Sequence, residues 1–196
     1  MDPLHKLYVE ITSHCNLSCQ MCVQRVWNAT QGDMPLATFA RLMDNLAEFP
    51  APPIIHLGGY GEPMHHPDFL EIVRLAKATG ARVEVTSNGT LLTPPVAEAL
   101  IELGLDRLVV SIDGVTEPGY ASVRVHSDLG RVITNLRDLF RRKLRVGHRH
   151  SDPQVEIAFV AMQRNVADLP LLPSLATRTG AWHVNVSNVI PHTPAM

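Results

Sequence analysis

The sequence predicts an α/β fold: a partial, TIM-like (β/α)6 barrel of parallel strands. Two observations carry that expectation. First, strand-length apolar runs alternate with segments of helical periodicity along the whole chain. Strands separated by helices in this way form right-handed parallel βαβ units. Second, one face of nearly every expected strand is polar. Glu10 pairs with Thr12, Glu84 with Thr86 and Asn88, Ser111 with Asp113, and His183 with Asn185 and Ser187, while His56 and Glu156 stand singly. A doubly wound sheet, covered by helices on both faces, would bury these groups at high cost. A curved sheet with helices outside and a wet concave inside accommodates them and puts the chemistry at the C-terminal strand ends. Strand-end polarity in a Rossmann-like sheet is the alternative.

The elements follow in order. The first strand covers Lys6 to Thr12 and runs into a cysteine-bearing loop. A helix from Leu36 to Phe49 presents Leu36, Phe39, Leu42, Met43, Leu46 and Phe49 on one face, and Pro50, Pro52 and Pro53 stop it. Strand two is Ile54 to Gly58. Helix two follows Pro67 and ends at Gly80. Strand three, Arg82 to Ser87, is closed by Asn88-Gly89. Helix three starts at Pro94, a good first-turn residue, and ends at Gly104. Strand four is Arg107 to Ile112, and a longer loop leads to helix four, Leu129 to Leu144. Strand five is Val155 to Met162. Helix five covers Val166 to Thr179, with a break expected near Pro170 and Pro173, and strand six is Trp182 to Val189.

Composition narrows the function classes. The chain has 196 residues, 45% hydrophobic and 18% charged, with a net charge of -2, which suits one domain with a sizeable core and not a disordered chain. With 17 basic against 19 acidic residues there is no general attraction to nucleic acid or to an anionic membrane. No run approaches the roughly 18 apolar residues of a membrane span. The N-terminus lacks a basic region followed by an apolar stretch, so a cytoplasmic location is expected.

The three cysteines, Cys15, Cys19 and Cys22, all lie within eight residues. An odd, clustered set is a poor disulfide framework. Three thiolates can hold three irons of a [4Fe–4S] cube and leave the fourth iron open. A zinc site completed by a histidine such as His14 is the other reading of the same spacing.

Further motifs follow at successive strand ends: Gly58-Gly59-Tyr60-Gly61-Glu62-Pro63, Thr86-Ser87-Asn88-Gly89-Thr90, Ser111-Ile112-Asp113-Gly114, and then Arg124. With the C-x3-C-x2-C loop after strand one, this ordered set resembles the radical S-adenosylmethionine (radical SAM) superfamily over almost the whole chain. The resemblance implies that Cys15, Cys19 and Cys22 ligate a [4Fe–4S] cluster and that S-adenosylmethionine (SAM) chelates its open iron. It further implies reductive cleavage of SAM to a 5′-deoxyadenosyl radical that takes hydrogen from a substrate. Met21 holds the often aromatic position before the last cysteine, where its thioether suits packing on adenine. Gly59, Gly61 and Glu62 would meet the SAM ammonium. Ser111 and Arg124 would meet SAM, the guanidinium suiting its carboxylate. Asn88 is a further candidate, and Val189 would wall the adenine.

The motif style is similar to the SPASM and MoaA-like maturases, and SNVIPHTPAM after strand six looks like the branch associated with tungsten-cofactor oxidoreductases. The partners this implies are a low-potential electron donor of flavodoxin or ferredoxin type and a peptide, protein or cofactor-precursor substrate. Relatives of this kind carry an added auxiliary-cluster domain, so residues 1–196 are expected to be a single core domain truncated before it.

Three remaining clusters have structural expectations. Glu10, Glu84, Glu156, His183 and Asn185 could bind substrate, fix a SAM hydroxyl or hydrogen-bond one another in the lumen, and for each alone the satisfied structural role is the expectation. His65-His66-Pro67-Asp68 is expected to cap helix two. Arg141, Arg142, Lys143 and Arg145, with His148, Arg149 and His150 beyond, are expected on an outer surface at a helix C-terminus.

Overall fold

The computed structural model describes residues 3–27, 30–145 and 152–190. Its strands are β1 (Lys6–Val9), β2 (Ile54–Leu57), β3 (Val83–Ser87), β4 (Arg107–Ser111), β5 (Gln154–Ala161) and β6 (His183–Asn188). They form one sheet in sequential order, and every adjacent pair is parallel. Between them lie α1 (Leu36–Asn45), α2 (Phe69–Ala78), α3 (Pro94–Glu102), α4 (Glu117–Val123), α5 (Leu129–Arg145) and α6 (Leu172–Thr179).

Strand order decides between the two architectures. Right-handed crossovers in strictly sequential order place every connecting helix on the same side of the sheet, whereas a Rossmann-like sheet reverses its order midway. Accordingly α1 packs on α2, α2 on α3, α3 on α5 and α5 on α6. The strand residues facing them, among them Ile55, Leu57, Val83, Leu108, Ile157 and Phe159, are fully buried with Phe39, Ile72, Leu100 and Leu136 from the helices. Each such side chain contributes about 1.5–3 kcal/mol by leaving water.

The opposite parity carries the polar set, and its lower part is an ion network. Glu84 accepts from Lys6 Nζ at 2.6 Å and meets His56 Nδ1 at 3.2 Å. Arg107 Nη1 lies 3.7 Å from Glu84 and 3.4 Å from Glu156. Burial pushes the His56 imidazole below its ordinary pKa. For Glu84, burial pushes the other way, but Lys6 and His56 prevail and hold the carboxyl below its usual range. Glu84 thus pairs with Lys6, His56 and Arg107, and Glu156 joins the network only through Arg107, while His183 and Asn185 are exposed. Glu10 does not join the network; its carboxylate serves the loop after β2.

Several elements differ from expectation. The loop after β4 contains α4, which a hydrophobic stripe of only Tyr120 and Val123 did not announce. The break expected near Pro170 is present: lacking an N–H, Pro170 leaves Val166–Leu171 as a 3-10 turn before α6. Asp68 makes no side-chain cap on α2; His66 Nδ1 instead accepts from the Asp68 amide at 3.0 Å, with Nε2 3.0 Å from the Met34 carbonyl. Lys143 is buried and donates to the Pro153 carbonyl at 2.7 Å, and Arg142 pairs with Asp138 and Glu98, so these two cations are not a free surface. His148, Arg149, His150 and Pro191 to Met196 lie outside the described residues. β6 is the least covered strand: Trp182, Val186 and Ile190 are all exposed.

Candidate active site

The C-terminal ends of the strands enclose a cavity of ≈ 300 Å³. Cys15, Cys19, Met21, Cys22, Gly59, Gly61, Glu62, Asn88, Ser111 and Arg124 all line it. Val189 does not; it follows β6, where its amide donates to the Ala161 carbonyl at 3.4 Å. Leu17, Val23, Tyr60, Thr86, Ser87 and Val160 line it too and were not singled out as site residues. Strand alternation could have found Thr86, which shares the inward parity of Glu84. The same alternation reaches Val160, which shares the parity of Glu156, but its apolar side chain gave no cue to the site. A larger cavity of ≈ 430 Å³ between α1 and α2 is mostly apolar, with Asp44 its sole ionisable lining group, and brings no reactive set together.

The cysteine loop is held from two sides. Toward β3, Asn88 Nδ2 donates to Asn16 Oδ1 at 2.9 Å, and Asn16 Nδ2 donates to Thr90 Oγ1 at 2.8 Å. Toward α4, the Ser18 amide donates to the Val125 carbonyl at 3.3 Å and the Gln20 amide to the Val123 carbonyl at 2.8 Å. The Leu17 amide points at Cys15 Sγ, 3.5 Å away. Burial pushes the Cys15 and Cys19 thiols up, so they ionise readily only with a positive partner or metal. All three cysteines are free.

Among the described residues, no group of three or more His, Cys, Asp or Glu side chains converges on a single-ion position. Tetrahedral zinc with sulfur at 2.3 Å would draw its thiolates to within about 3.8 Å of one another. His14, the histidine offered as an example of a fourth ligand in the alternative zinc reading, stacks on His65 with ring centroids 5.9 Å apart. The three free thiols line one cavity, and three soft ligands of this kind suit a [4Fe–4S] cluster.

The loop after β2 is built by close approach. A Cβ on Gly61 would sit 1.9 Å from the Thr12 carbonyl oxygen, and one on Gly59 would sit 2.4 Å from Glu10 Oε1. The glycines therefore admit the protein's own groups. Glu10 Oε1 accepts from the Tyr60 and Gly61 amides at 2.5 and 3.1 Å, and the Glu62 amide donates to the His14 carbonyl at 2.8 Å. The Glu62 carboxylate turns inward. Oε2 accepts from the Asn88 amide at 2.7 Å; Oε1 accepts from Ser87 Oγ at 2.8 Å and the Met64 amide at 3.1 Å. Burial raises its pKa against the pull of those three donors. Glu62 thus ties the loop after β2 to the end of β3. Trp27 stands edge-on to Tyr60 at 5.8 Å, at an exposed rim.

At the end of β4, Asp113 is wholly buried. Its Oδ1 accepts from the Val160 amide at 2.7 Å, and its Oδ2 accepts from Arg124 Nε and Nη2 at 2.7 and 2.6 Å. Burial works against the Arg124 charge, but Asp113 and Cys19 beside it raise the guanidinium's pKa above its ordinary value. Gly114 is required here, because a Cβ would meet the Tyr120 amide nitrogen at 2.3 Å. The site can therefore offer three soft ligands, a fixed buried cation, and a backbone-rich wall at Gly59 to Gly61.

Comparison with known proteins agrees with this geometry. The family model described as "Radical SAM superfamily" matches residues 9–151. The tungsten-containing aldehyde ferredoxin oxidoreductase cofactor-modifying protein of Pyrococcus furiosus is 34% identical over 188 residues, covering 96% of this chain and 52% of that protein. The PqqA peptide cyclase of Gluconobacter oxydans is 30% identical over 190 residues, covering 95% of this chain and 50% of its own length. The chain thus spans about half the length of these curated relatives. Streptococcus suis SuiB, in a crystal structure bound to S-adenosylmethionine, shares the fold at a TM-score of 0.80 and 16% identity, over 98% of this chain and 42% of that one.

Proposed function

Because the chain belongs to the radical SAM superfamily, we propose that it is the core of a maturase-type radical SAM enzyme acting on a peptide or cofactor precursor. The observation that carries this reading is the single cavity in which three free thiols face the ends of β2, β3 and β4. Cys15, Cys19 and Cys22 would hold a [4Fe–4S] cluster, and the residues at the ends of β2, β3 and β4 would hold SAM beside it. Bound together and reduced by an external one-electron donor, these groups would supply reductive cleavage of SAM and hydrogen abstraction from the substrate.

The chain's own residues bind and orient. The backbone at Gly59 and Gly61 faces the ammonium, held in place by Glu10 and Thr12 behind it. Ser111 and the outer N–H groups of Arg124 face the carboxylate. Met21, which lines the cavity, would pack on the adenine. The polar lumen below Thr86 and Ser111 takes the substrate's polar groups. Relatives named for a cofactor and for a peptide support that substrate class. The electron comes from a low-potential flavodoxin or ferredoxin type donor.

Anaerobic reconstitution tests the reading. About four irons and four sulfides per chain, with 5′-deoxyadenosine formed from SAM on reduction, is the expected result. Stable binding of one zinc with no SAM cleavage overturns it.

A further inference from the structure

Cys19 and Arg124 face each other because of how two stretches of backbone pair. The amides flanking Cys19, those of Ser18 and Gln20, donate to the carbonyls flanking Arg124, those of Val125 and Val123. The two stretches run antiparallel, so Cys19 is set opposite Arg124. The arginine is also fixed from behind. Nε and Nη2 are both committed to Asp113 Oδ2, and Asp113 is anchored to the Val160 amide. Asn165 Nδ2 donates to the Asp113 carbonyl at 3.1 Å and completes the support. What remains free to face the cysteine loop is Nη1, which lies 3.9 Å from Cys19 Sγ.

A guanidinium aimed at sulfur within a buried pocket is a charge-assisted donor to a thiolate. A group that touches a ligand sulfur of an iron–sulfur cluster sets its reduction potential, since added positive field favours the more negative, reduced state. We propose that Arg124, oriented by Asp113, is a positioning residue for the Cys19 thiolate and raises the potential of the cluster bound there. This is separate from any contact with SAM and rests on the cluster reading above. It gives Asp113 a role too: the carboxylate holds the cation at a fixed angle while neutralising part of its cost of burial.

The experiment is a dithionite titration with redox mediators, read by electron paramagnetic resonance, on the full chain reconstituted anaerobically and without SAM. Wild type, Arg124→Met, Arg124→Lys and Asp113→Asn are compared after iron and sulfide analysis. At the wild-type midpoint, Arg124→Met is expected to show a reduced-to-oxidised ratio lower by about tenfold, which is about 59 mV for a one-electron couple. Arg124→Lys keeps the charge without the fork and shifts less; Asp113→Asn shifts the signal shape as the guanidinium loses its anchor. A folded Arg124 variant that binds no iron while wild type does also supports the proposal, because SAM is absent and a residue touching only SAM would be dispensable. Should Arg124→Met not fold, Arg124→Lys decides by the same readings. Assembled variants whose SAM-free potential and spectrum equal those of wild type overturn it. Failure of wild type to bind about four irons overturns the cluster reading instead.

Discussion

Replacing Glu62 with glutamine keeps the side chain's shape and removes one acceptor oxygen. Folded as described, the carboxylate accepts from the Asn88 amide at 2.7 Å, Ser87 Oγ at 2.8 Å and the Met64 amide at 3.1 Å. Turned with its oxygen toward Ser87 and Met64, glutamine aims its NH2 at the Asn88 amide; turned the other way, it aims it at Met64. Either orientation leaves one backbone donor facing another, at about 1–3 kcal/mol. The surviving bonds also lose the carboxylate's charge. Desolvation works the other way, because burial already raises the Glu62 pKa and a neutral amide avoids that cost. The net expectation is a destabilisation of about 1–3 kcal/mol, with Glu62→Ala, which loses all three bonds, at the upper end or beyond. Urea unfolding measures this, and equilibrium dialysis of SAM on the reconstituted chain measures the ligand separately. An unfolding free energy unchanged to within about 0.5 kcal/mol, alongside SAM affinity lowered about tenfold (about 1.4 kcal/mol), would refute the bracket and make Glu62 a ligand group.

Three further outcomes follow from the same geometry. Gly61→Ala puts a methyl 1.9 Å from the Thr12 carbonyl, so the loop must shift by more than an ångström; SAM cleavage is expected to fall by about two orders of magnitude, and wild-type turnover would contradict the packing. Asn16→Ala removes the bonds that join the cysteine loop to Asn88 and Thr90, at about 1–3 kcal/mol for the two; faster hydrogen exchange at Leu17 to Gln20 is the readout, and unchanged exchange counts against the tie. Acid is expected to destabilise the fold. His56 has its pKa lowered from 6.5, so its stabilisation is whole above pH 6.5 and is lost as pH falls toward the folded value. Glu84, lowered from 4.5, loses its share further down the scale. Urea midpoints between pH 7.5 and 5.5 should fall less in His56→Gln than in wild type; equal slopes would remove His56 as the cause.

The fold was legible because two signals agreed at every strand. Apolar length marked β1 to β6, and the polar parity of Glu84, Thr86, Ser111 and His183 said that one face stays free of helices. The cysteines and strand-end motifs located the site for the same reason: their residue types are unusual where they stand. What stayed hidden was the partner of each group. A glycine shows that something comes close, but only the folded chain shows that at Gly61 it is the Thr12 carbonyl. Glu62 and Glu10 are equally acidic in the sequence, yet one is buried among three donors and the other braces two amides from an exposed position. The register that sets Cys19 against Arg124 joins residues more than a hundred apart, and no local pattern encodes it.

The bareness of β6 has a practical consequence. Among the described residues its only sheet neighbour is β5, and Trp182, Val186 and Ile190 are 61%, 46% and 73% exposed. An uncovered edge with apolar side chains is a template for strand addition by another chain. At high concentration, edge-to-edge association through β6 is the expected liability of this chain, and light scattering against concentration measures it. A lysine at Val186 would act as a gatekeeper there, repelling a second edge from a position that does not itself line the cavity.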